Sequence, residues 1–199
     1  MLQLLLFLKH HCSFLWSFVE FCNGSVFAIL FRARFRRVTT EICQNISSEK
    51  FHFRPLVIED LEQLQEFFAA QPEASYEYFK PHKFDLKTLK RLERNPAFCM
   101  FGAFEGERLT GYSLLRFFCN RQAFAGFLVN EQDRGRGIAK VMGRNMLKIC
   151  WTCGFRVFAT VSRRNTSALA SYRAINDFRI IRELPDDYIY IEYMKDGVK

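Results

Sequence analysis

The chain has 199 residues, of which 49% are hydrophobic and 25% charged, values typical of a folded soluble protein that exclude fibrous, collagen-like and wholly disordered classes. Its 23 phenylalanines require a core with much buried ring surface. The formal net charge is +8, and residues 121–164, with nine basic and two acidic side chains, carry +7 of it. Positive charge concentrated in one stretch favours an anionic ligand, and no nucleic-acid partner is predicted.

The seven cysteines are odd in number and form no regular framework. The opening segment MLQLLLFL has no basic n-region, and no small-residue cleavage site follows it. Both features predict a cytoplasmic protein with reduced thiols. Cys150 and Cys153 lack a second cysteine pair, and the four histidines offer no ligand spacing, so no metal site is predicted.

Residues 1–48 differ in composition from the rest of the chain, and we expect them to form an apolar and basic helical extension. Two apolar runs are separated by Asn23-Gly24 and followed by four arginines between positions 32 and 37. This break, together with Glu20, argues against a transmembrane helix. Two interpretations stay open: residues 1–37 contact the inner face of a membrane peripherally, or they pack as a helical pair on the main domain or a partner subunit.

Residues 49–199 are predicted to form one α/β domain, and a homodimer of it is left open. Alternating strand and helix patterns begin at Phe51. Strands are expected at 51–57, 97–104, 109–118, 123–130, 155–161, 178–184 and 187–194, and helices from Asp60, from Asp85, at 138–150 and at 166–175.

The motif with the clearest chemistry is Gln132-x-x-Gly135-x-Gly137, which follows a strand and opens directly into a helix. Glycines let backbone N–H groups turn toward a ligand, and a helix N-terminus adds its positive end. The motif lacks the Lys-Ser/Thr ending of a Walker loop and the three-glycine spacing of a dinucleotide fold. It predicts a diphosphate held mainly by main chain, with Arg134 and Arg136 in support. A tight structural turn is the alternative.

In its order of parts this region resembles the GNAT superfamily of N-acetyltransferases. The loop above is similar to the pyrophosphate loop of that family. Downstream, Asn165 at a helix start, Tyr172 seven residues later and Phe178 at the next strand follow the family's order. The resemblance covers about residues 51–195. Asp177 replaces the family's usual Gly, which leaves the geometry of that helix end open.

The resemblance implies a mixed, mostly antiparallel twisted sheet, flanked by helices, whose fourth and fifth strands splay apart. Acetyl-CoA would lie in that wedge as the co-substrate. Its pantetheine arm would pair with the exposed backbone edge of the fourth strand, and its pyrophosphate would sit on the loop amides. The residues expected to bind it are Leu128, Val129, Gln132, Arg134, Gly135, Arg136, Gly137, Ile138, Ala139 and Asn165.

By the same resemblance, Tyr172 is expected to protonate the departing thiolate. Many relatives place a Glu general base on the fourth strand, but residues 123–130 contain no acid. His82, in a loop that overhangs the acceptor site in this superfamily, is the predicted catalytic base. A surface histidine in a proline turn is the alternative, with a water chain removing the proton.

The expected activity is acetyl transfer to a primary amine of a small molecule. A weaker likeness of the loop YFKPH and the extension to bacterial acetyltransferases of surface-polysaccharide synthesis suggests an amino sugar nucleotide as acceptor. Two alternatives stay open, namely acetylation of a protein amine and a non-catalytic module that binds an acyl-CoA and reports it to a partner.

Overall fold

The computed structural model describes residues 13–45 and 51–195. Within these ranges the helices are α1 (Ser13–Leu30), α2 (Arg32–Asn45), α3 (Leu61–Ala69), α4 (Leu86–Glu93), α5 (Ile138–Thr152) and α6 (Thr166–Ile175). The strands are β1 (His52–Pro55), β2 (Phe98–Glu105), β3 (Arg108–Phe117), β4 (Gln122–Val129), β5 (Arg156–Ser162), β6 (Phe178–Glu183) and β7 (Tyr188–Tyr193). The boundary predicted between residues 48 and 49, and the opening apolar segment, lie outside the described residues.

The strands form one sheet in the order β1-β2-β3-β4-β5-β7-β6. Every neighbouring pair is antiparallel except β4 and β5, which run parallel. Their pairing is limited to residues 122–124 with 156–158. Beyond this short contact the two strands diverge, and the gap between them opens toward the loop that follows β4. The mixed, mostly antiparallel sheet with splayed central strands is confirmed.

Each face of the sheet carries its own apolar core. On one face, α3 and α4 cover a cluster that includes Leu61, Leu89 and Tyr112. On the other, α5 and the amino-terminal helices cover a cluster that includes Phe117 and Met142. The phenylalanine-rich composition is used mainly in these two layers, because large rings remove much apolar surface from water.

Polar caps set the helix starts that matter for the wedge. Asp85 accepts hydrogen bonds from the backbone N–H and the hydroxyl of Thr88 at the start of α4. Asn165 accepts from the backbone N–H of Ala168 at the start of α6. Capped ends satisfy amides that the first helical turn leaves without partners, which is why these starts were predictable from sequence.

The first helix of the extension continues through Asn23-Gly24. The interruption between the two apolar runs is therefore not a break in the helix. The Asn23 side chain donates to the carbonyl of Phe117 (2.8 Å) and accepts from the N–H of Cys119 (3.0 Å). A Cβ on Gly24 would lie 3.1 Å from the Asn95 side-chain oxygen. These two residues therefore let the helix lie close against the end of β3 instead of ending it.

Aromatic stacking ties the extension to the domain. Phe27, 1% exposed, stacks on Phe117 with ring centroids 4.7 Å apart and lies 6.0 Å from Phe155. Arg34 donates to the Thr152 carbonyl at the end of α5 (2.6 Å). The helices within residues 13–45 and 51–195 are all too short or too polar to cross a membrane.

Candidate active site

The wedge between β4 and β5 holds a cavity of about 640 Å³. Four parts of the chain form its wall: the end of β4 (127–129), the loop and first turn of α5, the carboxyl half of β5 (160–162), and α6 with its cap. The segment from Ala74 to Phe79 closes it from the α3 side. A volume of this size suits a small-molecule or cofactor ligand.

The loop before α5 presents backbone N–H groups to this cavity. Gly135 and Gly137 have φ angles of 77° and 84°, in the left-handed region that glycine adopts at little cost. The Gly137 carbonyl accepts from Val141 and begins α5. Within the described chain, the amides from Gly135 to Lys140 have no hydrogen-bond acceptor. Such amides at a helix N-terminus form an anion-binding cradle.

An ionic network around one buried carboxylate, Asp133, holds the loop from behind. Asp133 is 2% exposed and binds Arg108 through two hydrogen bonds of 2.7 and 2.9 Å and Arg136 through one of 2.5 Å. Glu105 bonds both arginines. The hydrogen bond from Arg108 is the main cause that lowers the pKa of Asp133 below its usual value. A buried carboxylate needs such partners, so the network fixes the loop in one conformation.

Most of the residues predicted to bind the cofactor line the cavity, and two do not. Eight line the cavity: Leu128, Val129, Arg134, Gly135, Gly137, Ile138, Ala139 and Asn165. Gln132 is exposed to solvent and lies outside the lining, and Arg136 turns toward Glu105 and Asp133. Direct support of the ligand by Arg136 stays a prediction, and in this structure its guanidinium is paired with these two carboxylates.

Fewer positive charges face the cavity than the sequence count suggests. Arg156, Arg163 and Arg164 pair with Glu192, Glu183 and Asp187, which come from other parts of the chain. Arg134, which donates to the Ser75 hydroxyl (2.8 Å), and Lys140 remain in the wall. The cradle thus combines main-chain N–H groups with two nearby cations.

Tyr172 lies where the wedge narrows. It is 7% exposed, lines the cavity from α6 and packs against Phe127 of β4 with ring centroids 5.2 Å apart. Burial raises the pKa of its hydroxyl to about 12. The phenol therefore keeps its proton at neutral pH and can donate it to a group bound in the wedge.

A family model described as "Acetyltransferase (GNAT) family" matches residues 58–178, which is more than half of the chain. The chain belongs to the GNAT acetyltransferase family. It is accordingly an acyltransferase by class. A search of curated proteins gave no match.

Solved structures of other acetyltransferases share the fold of this GNAT enzyme. Ribosomal-protein-S5-alanine acetyltransferase from Vibrio fischeri is 14% identical, with a TM-score of 0.64 over 76% of this chain and 96% of that one. Spermidine N-acetyltransferase from Vibrio cholerae, in complex with CoA and spermine, is 17% identical, with a TM-score of 0.58 over 72% and 92%. A putative acetyltransferase from Salmonella typhimurium with acetyl-CoA is 14% identical, with a TM-score of 0.58 over 73% and 92%.

In this GNAT enzyme His82 lies beside the cavity without lining it. Its Nδ1 is 2.8 Å from the Lys83 carbonyl, and its Nε2 is 2.8 Å from the Tyr112 hydroxyl. Because a carbonyl only accepts, Nδ1 carries the proton and Nε2 accepts from the tyrosine. Burial lowers the pKa of His82 below 6.5. Both ring nitrogens are thus engaged in hydrogen bonds. The ring itself packs edge-on against Phe68 and Phe84.

This placement predicts a pH effect on stability. The lowered pKa means that the unfolded chain binds the His82 proton more readily than the folded chain below about pH 6.5. Stability from neutral His82 is therefore complete above that pH and is lost as the pH falls toward the folded pKa. The unfolding temperature of the wild type should drop between pH 8 and pH 5 by more than that of His82→Gln. His52→Gln, an exposed control, should keep the wild-type dependence, and equal slopes for all three proteins would contradict the prediction.

Two hydroxyl residues of the wall, Thr160 and Ser162, were missed by the sequence interpretation. They occupy alternate positions of β5, between apolar neighbours. Side chains at i and i+2 share a face of a strand, so this alternation was the signal that could have found them. With Tyr78 and Phe79 they add aromatic rings and hydroxyl groups to the cavity wall, and the side chain of Tyr78 is hydrogen-bonded to Glu77.

Proposed function

We propose that this GNAT enzyme binds acetyl-CoA in the wedge and transfers its acetyl group to a primary amine of a small molecule. The observation that carries the proposal is the continuity of one cavity from the amide cradle, along the open edge of β4, to Tyr172. A non-catalytic binding module would need only the first two of these parts.

The residues present fit a long anionic cofactor. Amides from Gly135 to Lys140 would hold the pyrophosphate, with Arg134 beside them. Backbone groups of β4 near Leu128 and Val129, which face away from β3 and find no partner on β5, would pair with the pantetheine amides. Asn165 lines the same wall, and its side-chain oxygen is already used to cap α6. When bound, acetyl-CoA supplies an activated acetyl thioester.

Two proton transfers accompany the reaction. Tyr172 would donate a proton to the departing thiolate, as its buried and protonated phenol allows. The amine must also lose a proton. Because both nitrogens of His82 are engaged, we favour a water path along Thr160, Ser162 and Tyr78 over direct removal by that histidine. An unchanged pH–rate profile in His82→Gln would support this path, and loss of its acidic limb would favour the histidine.

The character of the cavity wall bears on the acceptor. Glu131 and Asp133 are the carboxylates among its lining residues, and both belong to the loop at the cradle end. A polyamine acceptor would need further carboxylates that are free to bind it, and Glu77, beside the wall, is already hydrogen-bonded to the Tyr78 side chain. The rings of Tyr78 and Phe79 and the nearby hydroxyls instead suit a neutral ring with hydroxyl groups. We therefore propose an amino sugar nucleotide as the acceptor: the wall supports its sugar ring, and its nucleotide part rests on the likeness of the loop YFKPH to acetyltransferases of surface-polysaccharide synthesis.

The first experiment is calorimetric titration with acetyl-CoA and with CoA, followed by release of the CoA thiol in the presence of candidate amines. Saturable binding with turnover of an amino sugar nucleotide is the expected result. Turnover of spermidine or of a peptide amine would overturn the acceptor assignment. Binding without turnover by any amine would favour the sensor alternative, and no binding by the folded protein would refute the cofactor site.

The cradle can be tested by Gly137→Ala. A Cβ at this position meets no atom within 4 Å, so its cost is the left-handed φ of 84°. Relaxing that strain turns the amides away, and we expect the Kd for CoA to rise roughly tenfold or more, as loss of one or two charge-assisted hydrogen bonds implies. Gly154→Ala is a matched control, with a φ of 83° and open space, at the far end of α5. Equal changes in Kd for the two variants would contradict the prediction.

A further inference from the structure

The outer face of α1 carries an unusual set of exposed apolar side chains. Ile29 is 81% exposed, Phe21 is 70% and Phe18 is 58%. Of the eleven large hydrophobic residues exposed in the described chain, six are on this one helix: Phe18, Val19, Phe21, Val26, Ile29 and Leu30. A contiguous exposed apolar patch normally marks an interaction surface.

Unpaired arginines continue the same face. Backbone hydrogen bonds from Phe31 to Phe27 and from Phe35 to Phe31 carry the helical repeat across the junction of α1 and α2. Residues three and seven positions after Ile29 therefore share its side of the helix, and these are Arg32 and Arg36. Both are exposed, and neither has an ion-pair partner among the described residues.

The opposite face fixes how this surface is presented. Phe27 and Phe35 are buried against Phe117 of the sheet, and Glu20 pairs with Arg116 (2.9 Å). The helix is thus held along the domain, with its apolar and basic side turned outward. From Phe18 to Arg36 the stripe runs for about 27 Å at the helical rise of 1.5 Å per residue.

We propose that this face of α1 and the start of α2 docks the enzyme on an anionic lipid surface. A bilayer offers an apolar layer beneath a layer of phosphates, which matches phenylalanines and isoleucine beside unpaired arginines. Interfacial helices bury their apolar side by about 5–10 Å without crossing the membrane. The charges select this partner over an apolar protein groove, which would leave Arg32 and Arg36 without counter-charges. The proposal is independent of the acetyl acceptor.

The test is sedimentation of the full-length enzyme with vesicles of phosphatidylcholine alone and of phosphatidylcholine with phosphatidylglycerol. The wild type should bind the anionic vesicles and remain largely free with the neutral ones. Arg32→Gln with Arg36→Gln should weaken binding to anionic vesicles roughly tenfold or more, at about 1 kcal/mol for each basic residue near the surface. Phe21→Ser with Ile29→Ser should reduce it at least as much.

Matched controls separate docking from folding and catalysis. Val57→Ser with Ile58→Ser removes two exposed apolar residues elsewhere, at 46% and 42% exposure, and should leave vesicle binding unchanged. All variants should keep the wild-type melting temperature and CoA affinity. A wild type that stays in solution with anionic vesicles, or binding insensitive to both double substitutions, would overturn the proposal. So would a dimer in solution that Phe21→Ser with Ile29→Ser dissociates while vesicles bind neither form.

Discussion

Replacing Tyr172 with Phe should lower kcat by about 100-fold or more, the contribution typical of a positioned general acid, while KM for acetyl-CoA changes little. The substitution removes one hydroxyl and keeps the ring that packs against Phe127 and Tyr193. Without the phenol, the thiolate must leave unprotonated or take its proton from water. Steady-state kinetics with a saturating amine measures both parameters.

Tyr190→Phe is the matched control, because this tyrosine stacks on Phe158 and does not line the cavity. It should retain wild-type kcat. Retention of kcat in Tyr172→Phe would refute the proton-donor role without touching the fold. Equal loss of kcat and of CoA affinity would assign Tyr172 to binding instead.

The burial of Tyr172 also predicts how the activity depends on pH. Because burial raises the pKa of Tyr172 to about 12, the donor stays protonated at neutral and moderately alkaline pH. Activity should therefore show no alkaline limb from this residue below about pH 11. Tyr172→Phe should lower the whole profile without changing its shape.

Much of this site was predictable because it is local in sequence. The strand, the glycine loop and α5 follow one another, and α6 begins at a residue whose side chain caps it. Hydrophobic periodicity, glycine at left-handed positions and a capping Asn each act over a few residues. The wedge then follows from the strand order that the family resemblance implies.

The parts that sequence could not supply are set by distant partners. Arg136 belongs to a network with Glu105 and Asp133, and Arg108, 25 residues from Asp133, completes it. The concentration of positive charge in residues 121–164 is likewise reduced by acids from β6, the following turn and β7. His82 is held by Tyr112, which is 30 residues away. Pattern reasoning sees a residue type and its neighbours along the chain, and these roles depend on neighbours in space.

The substitution Phe27→Ala tests whether the amino-terminal helices fold together with the acetyltransferase domain. We propose that they fold with the acetyltransferase domain as one cooperative unit. Phe27 is 1% exposed and lies against Phe117 and Phe155, so truncating it should cost about 3 kcal/mol or more in the free energy of unfolding. For a chain of this size that corresponds to a fall in melting temperature of roughly 6–12 °C. Calorimetry should show one transition in both proteins.

Ile29→Ala, two residues away and 81% exposed, removes an apolar side chain of comparable type from the outer face and should change stability by less than about 0.5 kcal/mol. If the helices were an independent appendage, Phe27→Ala would leave the main transition in place and alter only a minor one. The physical reason to expect otherwise is the position of its partners. Phe117 ends β3, and Phe155 precedes β5, whose divergence from β4 forms the cavity. A void at Phe27 therefore opens in the layer that supports the wedge.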